Sequence, residues 1–148
     1  MKYEVYTGIE VNDEFDIFEF VSTGKNGAIK KRVAFAQTDL ENVYNLAMGD
    51  VVDGDELDDL SITDNGDRNK ILATIADIVD LYTRKFPERW VLFRGVTPGR
   101  TRLYQMAISI NLEELSKVYE IQGYIEGQFD SFRKDMRVSS FLIKRKKS

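Results

Sequence analysis

The apolar spacing that runs up to Phe86 constrains this chain more than any other feature. Ile71, Leu72, Ile75, Ile78, Val79, Tyr82 and Phe86 recur at helical spacing and share one face. The segment is therefore an amphipathic helix with a broad stripe to bury. Asp67, or less readily Asp64, is placed to cap its first turn. Pro87 cannot continue the helix and drives Phe86 out of helical geometry. One helix with one apolar face needs a second layer to pack on, and the flanking sequence supplies strands.

Lys2 to Tyr6 and Phe15 to Val21 read as strands, and Gly24-Lys25-Asn26-Gly27 contains the Asn-Gly pair that favours a tight hairpin. Ile29 to Phe35 is the return strand, which sets Asp16 and Glu19 against Lys30 and Arg32 across an antiparallel pair. Alternation at Tyr44, Leu46 and Met48 predicts another strand. Asp53-Gly54-Asp55 is a turn signal before a strand from Leu57 to Ile62. Beyond Pro87, Trp90 to Phe93 forms a compact strand, with Trp90 in the core. A second helix opens with Thr97 as N-cap and Pro98 at its first position, and Leu103, Met106, Ala107 and Ile110 form its expected buried stripe. Asn111 and Glu114 match a capping box for a short third helix to about Lys117. Tyr119 to Ile125 and Gln128 to Phe132 flank Glu126-Gly127 as a hairpin, and a last strand runs from about Ser140 to Lys146. The expected fold is α+β: a mainly antiparallel sheet against two principal helices in a single layer, with room for one parallel strand pair in the middle. No repeat or linker divides residues 1–148, so a single domain is expected.

At 148 residues, a chain buries roughly 68–70% of its unfolded surface and needs no disulfide or metal to fold. No apolar run approaches the roughly 20 residues that cross a bilayer, and no signal-peptide pattern opens the chain. A cytoplasmic protein without a membrane partner is the resulting expectation. With no cysteine, thiol chemistry is excluded. With no histidine, the commonest general base, the Ser-His-Asp and Cys-His pairs and nearly all zinc and haem sites are excluded. Any catalysis would rest on Asp, Glu, Lys, Arg, Tyr or a hydroxyl.

Charge is distributed unevenly around a net of −4. Eight acids and no base lie between Asp50 and Asp67, and seven bases against one acid lie between Arg133 and Lys147. Two solvated surfaces are the simple reading, and opposed poles that steer a partner are the functional one. The acidic segment fails the EF-hand pattern, so no metal site is assigned and no cofactor is implied. The basic C-terminus reads more readily as a solvated tail than as a nucleic-acid contact.

The segment Arg94-Gly95-Val96-Thr97-Pro98-Gly99-Arg100-Thr101-Arg102 is the first site candidate. A helix N-terminus offers unpaired N–H groups and the positive dipole end. Arg94, Arg100 and Arg102 can hold a phosphate or carboxylate, while Thr97 and Thr101 bring hydroxyls. The loop lacks the Walker lysine and does not match G-x-G-x-x-G. Its structural alternative is a capped helix whose arginines pair with the acidic segment. Asp64 or Asp67 would serve as base or ion ligand, and the polar helix start joins the site if Asp67 or Lys70 faces that turn. Asp67, Arg68, Asn69 and Lys70 otherwise form an ordinary polar helix start.

The stretches Asp58-Asp59-Leu60-Ser61-Ile62-Thr63-Asp64-Asn65-Gly66-Asp67-Arg68-Asn69-Lys70-Ile71-Leu72-Ala73-Thr74 and Thr97-Pro98-Gly99-Arg100-Thr101-Arg102-Leu103-Tyr104 resemble a family of small bacterial proteins known only as a domain of unknown function. The resemblance covers nearly the whole chain and implies no activity. Where that family's arginine loop has serine after the glycine, this chain has Val96, which removes a hydroxyl from the loop. Two functions follow as expectations. The first is a non-catalytic interaction module, such as half of a toxin–antitoxin or phage-defence pair. The second is a binder of a phosphate-containing ligand (nucleotide or RNA), or a histidine-free enzyme acting on one.

Overall fold

The computed structural model describes residues 3–52, 56–58, 65–95 and 97–147, with backbone alone at 52 and 56–58. The described strands are β1 (Glu10–Val11), β2 (Ile17–Gly24), β3 (Gly27–Gln37), β4 (Val43–Val52), β5 (Glu56–Asp58), β6 (Trp90–Phe93), β7 (Tyr119–Ile125), β8 (Gln128–Ser131) and β9 (Phe141–Arg145). The helices are α1 (Arg68–Lys85), α2 (Pro98–Ile110) and α3 (Leu112–Leu115). The fold is α+β with mostly antiparallel pairing. Two compact units are formed, Met1–Ala36 with Ala47–Tyr82 and Gln37–Leu46 with Thr83–Ser148.

In the first unit the β2–β3 hairpin turns at Lys25-Asn26, with Gly24 opposite Gly27 in register. Alternation along the pleat places Phe18, Phe20 and Ser22 of β2 and Lys31, Val33 and Phe35 of β3 in the interior. Glu19 faces Arg32 across the ladder at 2.5 Å, with Lys30 at 3.3 Å, as the charge pattern predicts. Asp16 instead accepts from Asn12 Nδ2 at 2.6 Å. α1 buries Ile71, Ile75, Ile78, Val79 and Tyr82, and the Tyr82 ring stacks on Phe35 at 3.7 Å. Leu72 is half-buried.

The second unit orders its strands β4-β6-β9-β7-β8, using the first residues of β4. Val43 to Asn45 run parallel to Trp90 to Leu92, the one parallel pair that the strand–helix–strand middle permits. Phe132, Met136, Val138 and Phe141 form a core on which Phe93, Tyr104, Ile108 and Leu112 pack.

Several expectations are corrected. Tyr3 to Tyr6 form no strand; the Tyr6 N–H donates to Thr74 Oγ1 on α1 instead, and the first strand is Glu10–Val11. β5 covers only Glu56–Asp58 of the strand expected from Leu57 to Ile62, and the Asp53-Gly54-Asp55 turn lies outside the described residues. Trp90 is half-buried, with the Lys144 ammonium 5.7 Å from its ring. The expected stripe of α2 holds only in part: Leu103 and Ala107 are half-buried, but Met106 is 54% and Ile110 72% exposed, while Thr101 is buried and Tyr104 and Ile108 meet the core. Asn111 makes no capping bond to α3; its Nδ2 donates back to Ala107 O at 2.8 Å. α3 ends at Leu115, short of the expected Lys117.

Candidate functional site

The expected site residues fall into two groups, one in each unit. Around α2, Gly95 must be glycine, because a Cβ there would stand 2.3 Å from Arg100 Cβ and 2.4 Å from the Thr101 amide nitrogen. That close approach folds the end of β6 onto the first turn of α2. Thr101, buried, ties the two together: its Oγ1 accepts from Gly95 N–H at 3.0 Å and lies 3.3 Å from the carbonyls of Gly95 and Thr97. Thr97 is the N-cap, and its side chain accepts from Arg100 N–H at 3.3 Å. Both threonine hydroxyls thus hold the turn in shape.

What the turn leaves over is positive. The first turn of α2 carries no acidic residue. Arg100 and Thr101 direct their amides to Thr97, and Pro98 has none, so Gly99 N–H is the remaining first-turn donor. Among the described residues, Arg94, Arg100 and Arg102 enter no ion pair. Arg94 and Arg102 are exposed and Arg100 is half-buried, with its Nη1 buried and without a hydrogen-bond partner among the described residues. Two residues apart, Arg100 and Arg102 leave α2 about 200° apart around its axis. Arg100 lies on the flank beside Tyr104, one turn on. Burial pushes the Tyr104 hydroxyl above the ordinary tyrosine range, and the Arg100 charge opposes that rise.

Asp67 belongs to the first unit, where it builds a different arrangement. Its Oδ2 accepts from Ser22 Oγ at 2.6 Å and from the Tyr6 hydroxyl in a short bond. Asn65, buried, donates through Nδ2 to Ser22 Oγ at 3.1 Å and to Gly27 O at 2.9 Å, and its Oδ1 accepts from Asn26 N–H at 2.6 Å. Gly24 lets the hairpin pass close to this residue, since a Cβ there would lie 2.1 Å from Asn65 O. Lys70 Nζ sits 4.3 Å above the Tyr6 ring and 3.9 Å from Glu4. The Asp67 carboxylate therefore pins the hairpin and the Tyr6 segment to the start of α1, while its Oδ1 is buried without a partner among the described residues. Asp64, like Val96 of the arginine loop, lies outside the described residues.

The remaining charged candidates are bound up locally. Asp50 forms a buried ion pair with Lys31, so the first residue of the acidic segment is internal. Asp53, Asp55, Asp59 and Asp64 lie outside the described residues, among which no cluster of carboxylates could hold a metal. The basic C-terminus runs into β9, where Arg145 Nη2 reaches Tyr119 Oη at 3.4 Å and Lys146 Nζ donates to Ser116 O at 2.5 Å. No described helix is long and apolar enough to cross a membrane. Sequence reasoning missed Tyr6, Ser22 and Asn65, whose contacts to Asp67 and to one another span 43 to 61 residues and leave no local pattern.

The chain belongs to a family of unknown function (DUF6934), whose family model matches residues 2–146. No curated protein and no solved structure matches it.

Proposed function

We propose that this chain binds a small phosphate-bearing ligand of the nucleotide class at the N-terminus of α2. The observation that carries the reading is Arg100: a guanidinium whose Nη1 is buried without a hydrogen-bond partner among the described residues, on a helix start that carries no acid. Leaving a buried cationic donor unpaired costs free energy that an oxyanion would recover, and the helix N-terminus adds the favourable end of its dipole. Gly99 N–H supplies a backbone donor, Arg94 a second guanidinium on the approach and Arg102 longer-range positive charge. Thr97 and Thr101 hold the turn in shape. Asp67 is assigned to the scaffold of the first unit, so this reading involves binding and no general base. The whole chain is proposed to act as one domain, since β4 contributes residues to both units.

Native mass spectrometry of protein purified gently from its own host tests this directly. A phosphate-bearing adduct present on the unmodified chain and lost from Arg100→Ala is expected. An adduct that survives the substitution would move the ligand elsewhere.

A second reading, a non-catalytic interaction module such as one half of a toxin–antitoxin or phage-defence pair, is favoured by a separate observation. Met106 and Ile110 stand 54% and 72% exposed on one face of α2, an arrangement that protein–protein contact would cover.

A further inference from the structure

We propose that the nucleotide held at Arg100 is one unit of a single nucleic-acid strand, whose backbone crosses the start of α2 and continues onto the loop between β8 and β9. The inference rests on the phosphate reading above and extends its ligand. Charge divides unevenly between the two units. The first holds seven bases against sixteen acids, a net of −9, and the second fourteen against nine, a net of +5. The overall −4 therefore conceals a basic unit, and the arginine turn belongs to it.

Strand directions gather several of these bases at one end of that unit. Phe93, the last residue of β6, lies opposite Phe141, the first of β9. Arg94 and the residues just before Phe141 therefore stand at the same end of the sheet. α2 starts there too, because Gly95 closes onto Arg100 and Thr101. The β8–β9 loop is fastened to α2 by Gln105, whose Nε2 donates to Met136 O and whose Oε1 accepts from Val138 N–H at 3.4 Å. Met136 and Val138 are buried, and Arg137 between them is exposed. It stands beside the helix flank that Gln105 shares with Arg102, one turn earlier. Lys134 is exposed in the Arg133–Met136 turn of the same loop. Arg102, Lys134 and Arg137 enter no ion pair among the described residues, while Arg133 pairs with Asp135 at 3.8 Å. The other acids at this end, Glu126 and Asp130, belong to the β7–β8 hairpin, on the far side of the sheet from β6.

The separation of the bases selects a polymer. Arg100 leaves α2 on one flank and Arg102 on the other, and a helix with its side chains is about 10–12 Å across. One phosphate on Arg100 and Gly99 N–H leaves Arg102, Lys134 and Arg137 unused. A strand with a phosphate on every nucleotide meets both flanks and the loop in turn. A duplex is stiff over about 150 base pairs and cannot bend round a helix start. A single strand can, and a basic track holds its backbone without reading its sequence.

Fluorescence anisotropy of the full chain with a labelled uridine oligonucleotide of about twelve residues provides the test. The oligonucleotide should bind more tightly than uridine monophosphate. Its affinity should fall with salt on a log–log slope of roughly −3.5 for five phosphate contacts. Arg102→Ala and Arg137→Ala should each make that slope shallower by about 0.7, with the response of Arg100 to pyrophosphate unchanged. Circular dichroism checks that these surface variants keep their fold. An oligonucleotide no tighter than the monophosphate, or a slope indifferent to both substitutions, would overturn the strand and leave the pyrophosphate response of Arg100 in place. Polyglutamate bound as tightly as the oligonucleotide would also overturn it, making this surface a contact for acidic protein. An Arg100 that answers neither pyrophosphate nor the oligonucleotide would sink the phosphate reading itself, and the strand with it.

Discussion

The start of α1 and the start of α2 are both polar helix openings, and the chain uses them in opposite ways. At α1, Asp67 Oδ2 bonds to Ser22 and Tyr6, and Asn65 bonds to Ser22, Gly27 and Asn26, so these groups are committed inside their own unit. At α2, the two threonines close the turn while the three arginines find no acid among the described residues. The difference shows where function can reside. Groups that complete a buried network stabilise the fold, and groups left over after the network is complete are available to a ligand. Residue type alone does not separate the two cases; the bonding does.

Substitutions can break this comparison. The largest effect is expected in the first unit at Lys31, wholly buried against Asp50. Lys31→Ala leaves a buried carboxylate without its main partner and should cost about 3–5 kcal/mol of unfolding free energy in a denaturant titration. Asp67→Ala should cost less, about 1–3 kcal/mol, because it removes the acceptor shared by the Tyr6 and Ser22 hydroxyls, which keep only their contacts to Thr23 and Asn65. Thr97→Ala removes a cap and should cost about 1 kcal/mol. Arg100→Ala should change stability by no more than about 0.5 kcal/mol while removing the phosphate-ligand adduct. If Arg100→Ala proved as destabilising as Asp67→Ala, the contrast between the two helix starts would fail.

The smallest effect sharpens the local geometry. The Tyr104 hydroxyl titrates above its ordinary value when folded, mainly through burial. The folded chain therefore holds this proton more tightly than the unfolded chain. The associated stability is complete below the unfolded value, near pH 10, and is lost as pH rises from there through the folded value. Tyr104→Phe should flatten that alkaline loss. Arg100→Ala should push the Tyr104 titration higher still, measurable as a shift in its phenolate absorbance, because it removes the charge that favours the phenolate.

Much of the fold was legible in the residues. The α1 stripe and Pro87 mark a helix that ends at Lys85, Asn26-Gly27 marks the hairpin, and Thr97-Pro98 marks the start of α2. The inward face of α2 was not legible, for a physical reason. Leu103, Met106, Ala107 and Ile110 fit one helical stripe, and Tyr104, Ile108 and Leu112 fit another. The core built by Phe132, Met136, Val138 and Phe141 takes Tyr104, Ile108 and Leu112, while of the expected stripe Leu103 and Ala107 are half-buried and Met106 and Ile110 exposed. The Asp67 network was hidden because its partners come from distant segments. The arginine loop was legible as a chemical type, but the commitment of both its threonines to the backbone depends on the close approach at Gly95.

The most direct test of the central claim is a titration of isotope-labelled chain with inorganic pyrophosphate, followed through the backbone amide and arginine Nε resonances. The account predicts saturable shifts centred on Gly99 N–H and the Arg100 side chain, smaller shifts at Arg94 and Arg102, and none at Ser22, Asn65 or Asp67. Shifts centred on the Asp67 network, or an unmoved Arg100 at saturating pyrophosphate, would contradict it.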